Sequence, residues 1–227
     1  MLKKIVEIII VKIKKREFKF HEGISNLDIA ALSFRQGIAL VRGLFRLRAF
    51  ISIGSGVSLY GKRQLQLGRG VTIAHQVTID ALGLGGIEIG TSSSIGSFSL
   101  LKVSGSFANL GLSIRIGENV GIGEFAHIGG AGGVSIGNDT IIGAYFSVHP
   151  ENHNFSDLSA PIRLQGVNHQ GISIGNNCWI GAKVTVLDGA VVGDGCVIAA
   201  GAVVKGAFPD NCIIGGVPAR ILKYRHE

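Results

Sequence analysis

Aliphatic residues recur at every sixth position from Ile174 onward, opening the units IGNNCW, IGAKVT, VLDGAV, VGDGCV, IAAGAV and VKGAFP. The same phase holds at Ile116, Ile122, Ile128 and Val134, then resets by two residues to Ile136, Ile142 and Val148. Earlier blocks open at Leu67, Ile73 and Ile79 and at Ile89, Ile95 and Leu101, with a weaker start at Ile53 and Leu59. A fixed short period is the signature of stacked coils. Three hexads fill each block before an insertion interrupts it. One turn of the solenoid is therefore three short strands, with the extra residues extruded at the corner after the third.

Side chains alternate along a strand, so the leading aliphatic and the residue two before it share the inward face. Only slim residues suit that second position, which holds Val120, Ala126, Gly132, Thr140, Val184, Ala190 and Ala202, with Cys178 and Cys196 in the same series. Glycine follows the leading aliphatic in most units, as tight corners and close coil-to-coil approach require. The two cysteines read as stacked core residues and Cys212 as a lone thiol. Three cysteines without a zinc spacing or a secretory signal imply reduced thiols.

The first fifty residues break the pattern. Over 28–47 the apolar positions Phe34, Ile38, Val41 and Phe45 fall on one helical stripe and Arg35, Arg42 and Arg46 on another, with Asn26 as a possible N-cap. The expected role is a cap whose apolar stripe covers the open first coil. Charge sharpens this picture: residues 1–50 hold eleven Lys and Arg against four Asp and Glu, and residues 51–227 hold eleven of each, so the formal +7 belongs wholly to this segment. The basic stripe, with Lys3, Lys4, Lys12, Lys14, Lys15 and Arg16, is read as a peripheral contact with an anionic membrane. Nucleic-acid binding is not expected, because basic residues neither spread over a solenoid face nor interleave with aromatics.

The organisation expected is a basic segment over 1–50, a solenoid over 51–209 with a loop insertion at 154–173, and a tail over 210–227 packed on the solenoid. No eighteen-residue apolar run lacks a charge, and the stretch at Ile5 to Val11 is interrupted by Glu7 with no cleavage site after it. A cytoplasmic location is expected, peripheral at the inner membrane face if the basic stripe makes its contact. The insertion after VHPENH is the largest interruption of the repeat and is rich in polar and ionisable groups, which makes it the place to look for chemistry.

Hexads of the form [LIV]-G-x-x-x-x resemble the hexapeptide-repeat acyltransferases, whose fold is an all-β solenoid, a left-handed parallel β-helix. The motifs ENHNFSD, PIRLQG, ISIGNNCWIGAKV, AAGAVV and GVPARILKYR are similar to the sugar O-acetyltransferase branch, including maltose, galactoside and polysaccharide acetyltransferases. The resemblance implies a homotrimer that transfers acetyl from acetyl-CoA to a sugar hydroxyl, in surface-polysaccharide or lipopolysaccharide biosynthesis. Its general base corresponds to His153. Ala182 and Ala200 match backbone positions along the pantetheine arm, and Lys205, Arg220 and Lys223 are the candidate phosphate contacts. Lys205 stands where the branch usually has threonine and Gly206 where it has lysine, a departure that shifts the cationic role. His127, His149 and Arg163 are candidate acceptor contacts. The branch's acceptor asparagine corresponds to Gly123, so the acceptor site must be built differently.

A histidine at neutral pH is largely unprotonated and can take a hydroxyl proton, so the role implied for His153 is chemically sound. Zinc-dependent β-helices place two histidines five apart within a regular coil; His149 and His153 are four apart at a loop mouth, and no metal is expected. His169, His75, His21 and His226 are given no role. Trp179, outward in its hexad, reads as a subunit contact. The alternatives are N-acetylation of an amino-sugar nucleotide and a non-catalytic scaffold.

Overall fold

The computed structural model describes residues 2–14 and 17–226. The hexads build a left-handed parallel β-helix of three faces. The first face starts at Ser52–Ile53 and ends with Cys212–Gly216, against which Ala219–Tyr224 folds back as an antiparallel ninth strand. The second face runs from Ser58–Tyr60 to Val203–Val204 and the third from Leu65–Leu67 to Ala207–Phe208, each with seven strands. Register is strict: Ile53 pairs with Ile73, Ile73 with Ile95, Ile122 with Ile95 and Ile142, and Ile180 with Ile198. The leading aliphatics thus stack into one continuous buried column per face.

Insertions collect at the corner between the second and third faces, as the spacing of the hexads predicts. The corner between third and first faces is stitched by side chains: Asn138 Oδ1 accepts from Glu118 N at 2.8 Å, Asn176 Oδ1 from Asn138 N at 2.9 Å, Asp194 Oδ1 from Asn176 N at 2.7 Å and Asp210 Oδ1 from Asp194 N at 2.9 Å. This is why Asn and Asp recur there. At the corner between first and second faces, Phe98, Phe125 and Tyr145 adopt left-handed φ of 61°, 58° and 60°. That conformation costs roughly 1–2 kcal/mol in a residue with a Cβ, and it sets the three rings in a parallel stack with centroids 5.0 and 4.9 Å apart.

All three cysteines are buried. Cys212 is not alone: it continues the column of Cys178 and Cys196, each two residues before an inward isoleucine. Burial pushes the Cys178 thiol up to about 11, so it stays protonated and donates to Gly193 O at 3.3 Å.

Two helices precede the solenoid, α1 (Leu2–Lys14) and α2 (Asn26–Leu47). Ser25, not Asn26, caps α2, its hydroxyl accepting from Asp28 N while the Asp28 carboxylate accepts from Ser25 N. The expected orientation of α2 is overturned. Ile29, Ala39 and Gly43 are its buried positions, and of the arginine stripe Arg42 and Arg46 face the first coil and Arg35 is exposed, while Phe34, Ile38, Val41 and Phe45 point outward. The reason lies in the coil's hydrogen bonding. Inward residues of every later coil offer their carbonyls to the coil before, as Ile73 O does to Gly54 N and Val77 O to Ser58 N, both within 2.9 Å. In the first coil no coil precedes, and Arg46 Nη1 donates instead to Val57 O at 2.8 Å, with Arg42 Nη1 reaching Ile53 O at 3.5 Å. An apolar stripe has no donor to offer these carbonyls. Of the basic cluster read before α2, Lys15, Arg16 and the side chain of Lys14 lie outside the described residues.

Candidate active site

The long insertion leaves the second face after Ser147–His149 and rejoins the third at Ile172–Ile174. It is an ordered excursion. Asn152–His153 pairs antiparallel with Val167–Asn168, making a short hairpin at the loop's root. Asn154 ties its far end, its N donating to Gly166 O and its side-chain amide to Gln165 O, both at 3.0 Å. Asp157 and Gln165 close the tip through Asp157 N to Gln165 Oε1 at 3.0 Å and Gln165 Nε2 to Ala160 O at 2.8 Å.

Asp188 supports this root from below. It sits at the same corner one coil later, is 4% exposed, and its carboxylate gathers both loop strands. Asn152 Nδ2 donates to Oδ2 at 3.0 Å, Gln170 N to Oδ1 at 2.9 Å, and Gly171 N to Oδ1 at 2.9 Å. A charged acceptor holding three donors is a strong local clamp. Asp188 was not among the residues singled out from sequence. It occupies the hexad slot that elsewhere stitches a corner, and the one cue was VLDG, where leucine replaces the usual glycine.

Between hairpin and solenoid lies a groove of ≈ 500 Å³ lined by His153, Asn154, Asn168, Gln170, Asp188 and Lys205, among others. His153 and Lys205 therefore meet in one cleft, the imidazole from the loop and the ammonium from the corner of the next coil but one. Arg163 does not join them. It is exposed on the 3-10 turn Ile162–Leu164.

His127 and His149 form a separate pair on the outer side of the second face. Their ring centroids are 5.5 Å apart, and His149 Nε2 shares a 2.7 Å hydrogen bond with Ser147 Oγ. Partial burial, followed by repulsion from His149, lowers the His127 pKa below the ordinary histidine value, which keeps its ring neutral at pH 7. Among the described residues, no group of three or more His, Cys, Asp or Glu is arranged to hold a metal ion.

The remaining candidates lie elsewhere on the triangle. Ala182 and Ala200 follow one another at the corner between first and second faces, where Gly181 lets its backbone pack closely on Ala200, and both alanines are exposed. Arg220 joins that corner, because its strand partner Gly215 packs beside Ala199. Lys223 pairs with Ile213 in the middle of the first face. Within one chain the set thus divides between two corners: His153 and Lys205 at one, Ala182, Ala200 and Arg220 at the other. Trp179 is outward and 61% exposed on the first face, beside the equally bare Ile141.

Residues 171–206 match the family described as bacterial transferase hexapeptide (six repeats). The chain is 35% identical over 122 residues to "Putative lipopolysaccharide biosynthesis O-acetyl transferase WbbJ" of Escherichia coli K12, covering 50% of this chain and 62% of that one. It is 35% identical over 181 residues to "Probable acetyltransferase Rv3034c" of Mycobacterium tuberculosis, covering 78% of this chain and 51% of the relative. The chain thus spans less than two thirds of the length of either relative. Among solved structures it is similar in fold to a variant of AntD, an N-acyltransferase from Bacillus cereus in complex with dTDP-4-amino-4,6-dideoxyglucose and coenzyme A. The TM-score is 0.53 at 20% identity, over 82% of this chain and 88% of that one.

Proposed function

We propose that this chain, which carries the bacterial transferase hexapeptide repeat over 171–206, is a hexapeptide-repeat acyltransferase that transfers an acetyl group from acetyl-CoA to a sugar hydroxyl of a surface polysaccharide or lipopolysaccharide. The observation that carries the reading is the meeting of His153 with Lys205 in a polar groove, at the largest interruption of the repeat. The lipopolysaccharide role in the name of the Escherichia coli relative supports the acceptor class.

In this reading His153 accepts the proton of the acceptor hydroxyl as its oxygen attacks the thioester carbonyl carbon. The C–O bond forms, the C–S bond breaks, and the sulfur leaves as thiolate to be protonated by the imidazolium, so products are the acetyl ester and CoA. Asp188 and Asn152 act on the imidazole only through the hairpin, and are positioning residues. Ala182 and Ala200 suit the pantetheine arm because small side chains there leave backbone N–H and C=O groups within reach. Lys205, Arg220 and Lys223 supply cations for the nucleotide phosphates.

The two corners are brought together when chains pack side by side, the first-to-second corner of one against the second-to-third corner of the next. We therefore read the active unit as a homotrimer, with Trp179 and Ile141 in its contacts. The test is mass spectrometry of glycan acceptors incubated with acetyl-CoA and the purified chain, with an amino-sugar nucleotide as a competing acceptor. Transfer to hydroxyl should fall by roughly 10² to 10⁴ in His153→Ala, with the trimer mass intact. Near-normal turnover in that variant would sink the assignment, and preferred transfer to the amine would replace the acceptor.

A further inference from the structure

A helix packed on a protein core ordinarily buries its apolar stripe, and α2 buries only Ile29, Ala39 and Gly43 and leaves its main apolar stripe outward. Its coil-facing side carries Gln36, Arg42 and Arg46, all bonded to the first coil. Its outward side carries Leu27, Phe34 and Phe45 at 82%, 73% and 83% exposure, with Ile38 and Val41 between them. The neighbouring α1 also leaves apolar residues bare: Ile5, Ile8 and Ile9 are exposed, while Val6 and Ile10 are half-buried. Two adjacent helices therefore each leave an apolar row bare at the end of the solenoid where the first coil lies. Scattered exposed apolar residues need no explanation, but a contiguous row on one side does.

The charges around this surface indicate what covers it. Arg35 on α2 and Lys4 and Lys12 on α1 are exposed, and the first fifty residues hold the entire excess of +7. A second copy of the chain would bring the same excess to the same place and be repelled. A surface of negative headgroups above an apolar layer complements both features at once. Spanning is not indicated: no described helix is long and apolar enough to cross a membrane, and Arg42 and Arg46 fasten α2 to the coil.

We propose that the outward face of α1 and α2 is a docking surface for an anionic bilayer, on which the helices lie flat with the first coil of the solenoid next to the lipid. The apolar stripe enters the headgroup boundary and Arg35, Lys4 and Lys12 meet the headgroups. The membrane contact is thus made by the apolar stripe, with arginines 42 and 46 reserved for the coil. The inference stands apart from the acetyl-transfer reading and needs none of its residues.

The full chain should co-sediment with vesicles of equal parts phosphatidylcholine and phosphatidylglycerol, and not with phosphatidylcholine alone. Binding should weaken from 0.1 to 1 M salt as the screening length falls from about 10 to about 3 Å. Phe34→Ser with Phe45→Ser should reduce it on the order of 100-fold, and Arg35→Gln with Lys12→Gln about 30-fold. Both variants should keep the parent's melting temperature, its mass by light scattering and its acetyl transfer to a soluble glycan. Absence of anionic-vesicle binding by the parent, or unchanged binding by the phenylalanine variant, overturns the proposal. A fall in oligomer mass in that variant also overturns it, because the stripe would then be covered by another copy.

Discussion

Removing the Asp188 carboxylate should loosen the extruded loop and leave the β-helix intact. In Asp188→Ala the amides of Gln170 and Gly171 and the side chain of Asn152 lose their acceptor. A buried N–H left without a partner costs about 1–3 kcal/mol. Gln170 is exposed and Gly171 half-buried, so water can replace part of the loss and the lower end applies to each amide. The sum is about 2 kcal/mol, or roughly a thirtyfold shift toward the open loop. The hydrogen-bond partners of this carboxylate all lie in the loop segment, at Asn152, Gln170 and Gly171. Hydrogen exchange followed by mass spectrometry should therefore accelerate across 152–171 and stay unchanged across the strands from Ile172 to Phe208. Because His153 pairs with Val167 in the loosened hairpin, kcat should drop roughly tenfold with a smaller change in the KM for acetyl-CoA. Asp188→Asn keeps one acceptor oxygen for the two amides and should recover most of the protection. Unchanged exchange in the loop of the alanine variant would refute the clamp. Faster exchange throughout the solenoid would show that Asp188 supports the stack rather than the loop.

Gly43 is where α2 touches the first coil, and a methyl group there would overlap the carbonyl oxygen of Ile51. Gly43→Ala should therefore lower the melting temperature despite alanine's helix advantage of about 1 kcal/mol, and a rise would mean that the helix stands off the coil. The depressed pKa of His127 also has a sign that can be checked. The unfolded chain takes up the proton first as pH falls below about 6.5, so the contribution of this residue to stability is whole above that pH and declines below it. His127→Gln should flatten the decline in melting temperature between pH 7 and 5, and an unaltered slope would remove His127 as its source.

The fold was legible because each hexad states both its period and its inward residue, and those two facts determine strand, corner and stack together. The orientation of α2 was not. Its sequence offers two stripes, apolar and basic, and the choice between them depends on what the first coil lacks, namely donors for Ile53 O and Val57 O. Cys212 was missed for a simpler reason. Sixteen residues separate Ile198 from Ile214 where eighteen separate Ile180 from Ile198, so the last turn shifts the count by two. In the candidate site, the insertion marked the region and the family resemblance singled out His153 within it. Asp188 stayed hidden, because an aspartate at that hexad slot also serves at Asp194 as an ordinary corner stitch.

The two ends of the stack are closed by different means, α2 over the first coil and the reversed strand Ala219–Tyr224 against the last strand of the first face. A parallel β-helix without such closures has matching top and bottom surfaces, one offering what the other accepts. Contact between them is head to tail and never closes on itself. The caps are thus what makes the molecule finite. A chain cut to begin at Ile51 and stop before Ala219 would carry both complementary ends, and its expected product is a filament that lengthens by whole solenoids.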